Sequence, residues 1–265
     1  MKHQLDGTDI HIATGGRSFD ATGNVVVMLH GSGQNHLTWV LQSRYFAYRG
    51  FAVLAPDFPG HGLSGGTPWT SIEDMARWVI ALLDSLDVPQ ATLVGHSQGC
   101  LVALEAAATY PDRVKRVALI AGALAIPVNQ QLLDMSDQAL TKAIGIMTSW
   151  GHGAMAHMHD NTQPGHSFIG YGNRLMALND NDALRADLTA CNNYQGGAAA
   201  AAAIKQPALC ILAEKDRMTP LKFGREMAAA LATVETNVIA AAGHMLPAEY
   251  PAEVNAALRA FCEQS

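Results

Sequence analysis

Residues 93–100 read LVGHSQGC, an apolar run that gives way to a serine framed by glycines at 95 and 99. A serine hydroxyl is a poor nucleophile at neutral pH. An acyl-transfer site must therefore expose the oxygen, supply a base and stabilise the oxyanion that forms. A G-x-S-x-G stretch between a strand and a helix meets the first demand. The sharp turn forces Ser97 into a strained backbone, which is sterically possible only if Gly95 and Gly99 carry no side chains. The same turn opens a helix, so the backbone N–H of Gln98 points outward with the positive end of the helix dipole, where an oxyanion can accept from it.

Outward from this turn the chain alternates short apolar runs with helical periods. Residues 2–5 and 9–13 read as a small hairpin around Asp6-Gly7. NVVVML at 24–29 is a continuous apolar run, 37–49 is helical in period, and 51–54 is a strand leading into DFPGHG. A helix over about 71–86, a strand at 91–94, a helix at 98–110 ending at Pro111 and a strand at 114–120 follow. Strands apolar on both faces and separated by helices predict a mostly parallel twisted sheet with helices on both faces, an α/β fold. From about 125 to 204 the apolar strands disappear and helical segments rich in Met, Ala and His take over, ending in GGAAAAAA at 196–203. The sheet pattern resumes with ALCILA at 208–213, a helix at 221–231, a strand at 235–239 and a last helix at about 251–262. The expected organisation is a sheet domain formed by 1–124 and 205–265, with a mostly helical cap, 125–204, inserted between them.

A base and an acid have to come later in the chain. His244 lies in AAGHMLPAEYP, between a strand and the final helix. Asp216 lies in ILAEKDRMTP, with Glu214 two residues away, just ahead of Thr219 and Pro220, which read as helix cap and first helical residue. Ser97, Asp216 and His244 each fall at the carboxyl end of their own strand, the edge where open α/β sheets bind ligands. A second oxyanion donor is expected in LHGSGQ at 29–34, from the amide of Ser32, with Gly31 the near alternative.

These motifs together resemble the α/β-hydrolase family in its serine-nucleophile branch of esterases, lipases and thioesterases. They are HGSG at 30–33, DFPGHGLS at 57–64, GHSQG at 95–99, EKDRMTP around Asp216 and GHMLPAEYP around His244. The resemblance runs from about 24 to 262 except for the insertion. It implies Ser97 as nucleophile, Asp216 as acid, His244 as base, and Ser32 and Gln98 as oxyanion donors. The implied activity is hydrolysis of an ester or related acyl bond, carboxylesterase-like and without a cofactor. A serine at 97, in place of an aspartate, argues against the haloalkane dehalogenase and epoxide hydrolase branches. Relatives on this scaffold also hydrolyse carbon–carbon bonds, act as perhydrolases or oxygenate without cofactors, and some are small-molecule receptors.

Composition narrows the partners. The 265 residues are 49% apolar and 15% charged, with a formal net charge of -6, so a nucleic acid or an anionic membrane surface is not the expected partner. The opening MKHQLDGTDIHIATGG has no apolar signal core, and no later stretch approaches the roughly 18 apolar residues of a membrane span, which reads as a cytoplasmic chain acting on a small molecule. Four scattered cysteines, Cys100, Cys191, Cys210 and Cys262, suit buried thiols better than disulfides or zinc ligation. His152, His157, His159, His166 and Asp160 crowd the cap, but His157 and His159 are two apart and cannot share a helix face, so no metal site is expected. His96 reads as packed beneath the turn, His30 as ordering the oxyanion loop, and Asp57 and His61 as turn chemistry. Of the apolar cap residues Met147, Trp150, Met155, Met158, Phe168 and Met176, most are expected to pack against the sheet and a minority to line a pocket, with Met147, Trp150, Met155 and Phe168 the named candidates; methionine-rich walls suit a small, mainly apolar substrate.

Overall fold

The computed structural model describes residues 1–157 and 165–264. Its centre is a sheet of eight strands: β1 (Lys2–Leu5), β2 (Thr8–Ala13), β3 (Asn24–Leu29), β4 (Phe51–Pro56), β5 (Ala91–His96), β6 (Val114–Ile120), β7 (Ala208–Ala213) and β8 (Val234–Ile239). Their spatial order is β1-β2-β4-β3-β5-β6-β7-β8. The first two pairings, β1 with β2 and β2 with β4, are antiparallel, and every later neighbour runs parallel.

The unbroken apolar runs are explained by cover on both faces. Along β3, Val25, Val27 and Leu29 join one apolar cluster while Val26 and Met28 join the opposite one, the two-residue alternation of a strand. The first cluster is closed by α2 (Ile72–Ser85) and α3 (Gln98–Thr109), the second by α1 (Val40–Ala47) and the last helix, α11 (Pro251–Cys262). Helix α2 begins where Ser71 Oγ accepts from the Asp74 amide at 3.1 Å, with Glu73 and Asp74 in its first turn against the helix dipole. β8 departs from the expected doubly covered pattern: its middle four residues are exposed, because it is the sheet's open edge.

Between β6 and β7 the chain forms α4 (Gln130–Gln138), α5 (Leu140–Gly151), α6 (Phe168–Met176), α7 (Ala183–Asn193) and α8 (Gly197–Ala203). Leu132, Ile144, Met147, Leu175, Met176, Leu184 and Leu188 from α4 to α7 form their own apolar cluster over the carboxyl edge of the sheet. α8 does not share it. Ala200 and Ala201 pack instead in the main cluster with α3, and Gly197 lies so close to the Leu124 carbonyl that a Cβ there would come within 1.8 Å of the oxygen. Among the described residues the remaining α-helices are α9 (Leu221–Ala230) and the short α10 (Leu246–Glu249). Among the described residues no helix is long and apolar enough to cross a membrane, and all four cysteines are free and buried.

Candidate active site

The turn after β5 has the conformation its glycines permit. Ser97 sits at φ 54° and ψ −118°, a region that an L-residue enters only under constraint. A Cβ at Gly95 would stand 2.2 Å from the Gly99 carbonyl oxygen, and one at Gly99 would stand 2.3 Å from that of Leu29. Both contacts are backbone against backbone, so neither position has room for alanine. Gln98 is the first residue of α3, and the N–H of a first helical residue has no acceptor within its own helix.

Asp216, beyond β7, and His244, beyond β8, meet at the same edge. His244 Nδ1 lies 2.8 Å from Asp216 Oδ2, with both side chains almost wholly buried. The other carboxylate oxygen, Oδ1, accepts from the amides of Met218 and Thr219, each at 2.8 Å, and the Thr219 hydroxyl is 2.9 Å from Oδ2. Burial by itself would raise the Asp216 carboxyl, but His244 and the Thr219 donors outweigh it and hold it below the usual carboxylate range. Such an aspartate is ionised, acceptor-only, and dictates that His244 carries its proton on Nδ1, which leaves Nε2 free to accept. Glu214, the other acid in the motif, is exposed and paired with Lys215.

His96 is packed under the turn. Burial, with His244 beside it, lowers its pKa to about 3, so the ring is neutral and donates from Nε2 to the His244 carbonyl at 2.9 Å. His30 is likewise neutral, lowered to about 4 by burial and by His61; its Nδ1 donates to the Gly31 carbonyl at 3.0 Å and its Nε2 accepts from the Phe58 amide at 3.2 Å. The 29–34 loop is thereby fastened to the 57–64 loop. It also presses on the turn, since a Cβ at Gly31 would lie 3.1 Å from both Ser97 Cβ and His96 Nδ1. Asp57 accepts from the amides of His36 and Leu63 at 2.6 and 2.9 Å, which is turn-holding work.

Ser97, His244 and Ser32 all face one cavity of about 250 Å³ between the sheet edge and the inserted helices. Met147 and Trp150 line it, Trp150 at the rim with 49% of its surface exposed. Met155 and Phe168 do not. Phe168 is buried beside the rings of His152 and His166, and Met155 lies in a short 3-10 turn, Ala154–His157, away from the cavity wall. The apolar walls come instead from Leu132, Leu175, Met176, Leu188, Met218 and Met245. Among the described residues Arg217 is the one permanently charged residue lining the cavity; its guanidinium donates to the carbonyls of Ser149 and His152.

A further group was not legible as functional in the sequence. Asp187, on α7, is fully buried and accepts from the Gly33 amide at 2.7 Å, from His61 Nε2 at 2.9 Å and from the Gln98 side-chain amide at 3.2 Å. The signal available was a polar residue on the apolar face 184, 188, 191 of a helix, but that helix had to be placed first. As for metals, the described residues hold one group with suitable donors, His11, His36 and Asp57, whose ligand atoms lie within 4.8 Å of one another. Asp57 already spends its oxygens on amides there. His152 and His157 bond to the carbonyls of Thr148 and Ser149. Met158, His159 and Asp160 lie outside the described residues.

Comparison with known proteins agrees with this architecture. A family model described as the alpha/beta hydrolase family matches residues 26–257. Among curated relatives, the (E)-2-((N-methylformamido)methylene)succinate hydrolase of Acinetobacter baylyi is 34% identical over 101 residues, 38% of each chain. The dihydrolipoyllysine-residue acetyltransferase component of the acetoin cleaving system of Pseudomonas putida is 29% identical over 250 residues, 90% of this chain and 63% of that protein. The chain thus spans between about two fifths and two thirds of the length of these relatives. Among solved structures, the enol-lactonase from Burkholderia xenovorans LB400 superposes with a TM-score of 0.89 over 100% of both chains at 23% identity, a likeness of fold.

Proposed function

The chain belongs to the alpha/beta hydrolase family, and from that premise we propose that it is a serine hydrolase, carboxylesterase-like, cleaving an ester or related acyl bond of a small, mainly apolar substrate through an acyl-enzyme on Ser97. The observation that carries the reading is the 2.8 Å bond between His244 Nδ1 and Asp216 Oδ2, in a histidine that shares its cavity with Ser97. His244 Nε2 takes the Ser97 proton as the alkoxide adds to the carbonyl carbon, and Asp216 stabilises the imidazolium that results. The amides of Ser32 and Gln98 hold the tetrahedral oxyanion, each worth about 3 kcal/mol of barrier lowering. The leaving group departs with the proton from His244, and water repeats the sequence on the acyl-enzyme. Walls of leucine and methionine around about 250 Å³ favour a compact apolar acyl group.

The test is a panel of p-nitrophenyl esters of increasing acyl length, run on wild type and Ser97→Ala, with a fluorophosphonate probe for serine reactivity. Turnover and labelling that both disappear in Ser97→Ala are expected. A wild type that neither turns over nor labels at Ser97 sinks the proposal, and labelling without sustained product release would favour a ligand receptor on the same scaffold.

A further inference from the structure

The two residues proposed to donate to the oxyanion come from different parts of the chain, and one carboxylate from the inserted segment touches Gln98 and the immediate neighbour of Ser32. Asp187 Oδ2 accepts from the N–H of Gly33, the residue after Ser32. Asp187 Oδ1 accepts from the side-chain amide of Gln98, whose backbone N–H is the other donor. Resting on the serine-hydrolase reading above, we infer that Asp187 is a positioning residue that sets the spacing of the two oxyanion donors, so that the inserted helix α7 is part of the catalytic frame and not only a cover.

Three observations support this role. First, His61 bridges the two segments, with Nδ1 3.0 Å from the Pro59 carbonyl and Nε2 2.9 Å from Asp187 Oδ2, so the carboxyl group is held from the 57–64 loop as well. Second, Gln98 Oε1 is buried without a hydrogen-bond partner among the described residues. Turning the amide over would set an oxygen against a carboxylate, so Asp187 dictates which way Gln98 points. Third, the same face of α7 meets the loop again on either side of Asp187: a Cβ on Gly33 would come 2.9 Å from Leu184 Cδ1, and Cys191 Sγ lies 3.5 Å from Ser32 Oγ. Just before α7, Asn179 donates to the Gly33 and Gln34 carbonyls at 2.6 and 3.2 Å. The loop is thus gripped from the inserted segment at consecutive residues.

The test uses the full chain with the best ester of the panel and a trifluoromethyl ketone whose adduct carries the oxyanion. In Asp187→Asn a single amide oxygen replaces two acceptors, and kcat should fall about 10- to 100-fold with KM within about twofold, while the Ki of the ketone rises by the same factor. Gln98→Met keeps the backbone N–H but drops the link to Oδ1, and should lose several-fold in kcat in the same pattern; if Asp187→Asn does not fold, it carries the test alone. Arg185→Ala, on the exposed face of α7 where Arg185 pairs with Asp137 at 2.6 Å, should leave kcat and Ki unchanged. Folded Gln98→Met and Asp187→Asn with wild-type kcat and Ki, or with a raised KM alone, would overturn the inference while wild-type turnover kept the hydrolase reading. A wild type lacking Ser97-dependent turnover would overturn both.

Discussion

The strain at Ser97 can be weighed by removing it without restoring function. Ser97→Ala and Ser97→Gly both delete the hydroxyl, so whatever the oxygen contributes cancels between them. They differ in that alanine keeps a Cβ at φ 54° and ψ −118°, whereas glycine enters that region freely. A residue held in such a sparsely populated conformation costs about 1–3 kcal/mol. Glycine gives back about 0.4–1 kcal/mol through the greater freedom of the unfolded chain. The glycine variant should therefore be the more stable by about 1 kcal/mol. With about 2.1 cal/mol/K of unfolding entropy per residue over 265 residues, that corresponds to about 2 °C in Tm. Urea midpoints at 25 °C and calorimetric scans on the two inactive proteins measure the difference directly. Equal stability, or a more stable alanine variant, would mean that the turn carries no backbone strain and that the two flanking glycines serve only to make room.

Further perturbations test other parts of the site. Gly95→Ala forces a Cβ to within 2.2 Å of a backbone oxygen and should destabilise the protein by about 3 kcal/mol, read as a lowered urea midpoint; a change below about 0.5 kcal/mol would contradict the packing described. Asp216→Asn keeps the shape but can present a donor to His244 Nδ1, and kcat should fall by about 10⁴-fold with the urea midpoint far less affected. Burial lowers the His61 pKa, but Asp187, the Pro59 carbonyl and Asp57 outweigh it and the net shift is upward from 6.5, with neutral His30 5.0 Å away. The native state then holds the His61 proton more tightly than the unfolded chain does. That contribution is fully present below about pH 6.5 and is lost as pH rises through the higher folded value. Urea midpoints of the wild type should therefore fall on that alkaline side, and the fall should be shallower in His61→Gln; parallel curves would show that the pair does not titrate there.

The local chemistry around Ser97 was readable because its causes are local. Two glycines, an apolar run before them and a helical period after them mark the turn, although the backbone that leaves Gly99 no room for a side chain belongs to Leu29 of the neighbouring strand; the hairpin at Asp6-Gly7, with φ values of 49° and 77°, is self-contained. The parallel sheet followed from unbroken valine and leucine runs, which make sense only under cover on both faces. What the sequence left undecided depends on which surfaces meet. Leu, Met and Phe in the insertion all had to be buried somewhere, and burial is non-directional, so periodicity could not say that Met147 would face the cavity while Phe168 packed beside His152. GGAAAAAA had the composition of any small-residue helix, and only the packing of Ala200 and Ala201 into the main cluster, with Gly197 against the Leu124 carbonyl beyond β6, put it beside α3. His61 and Asp187 stand 126 residues apart, and only the packing of α7 onto the loops of the sheet made them a buried pair.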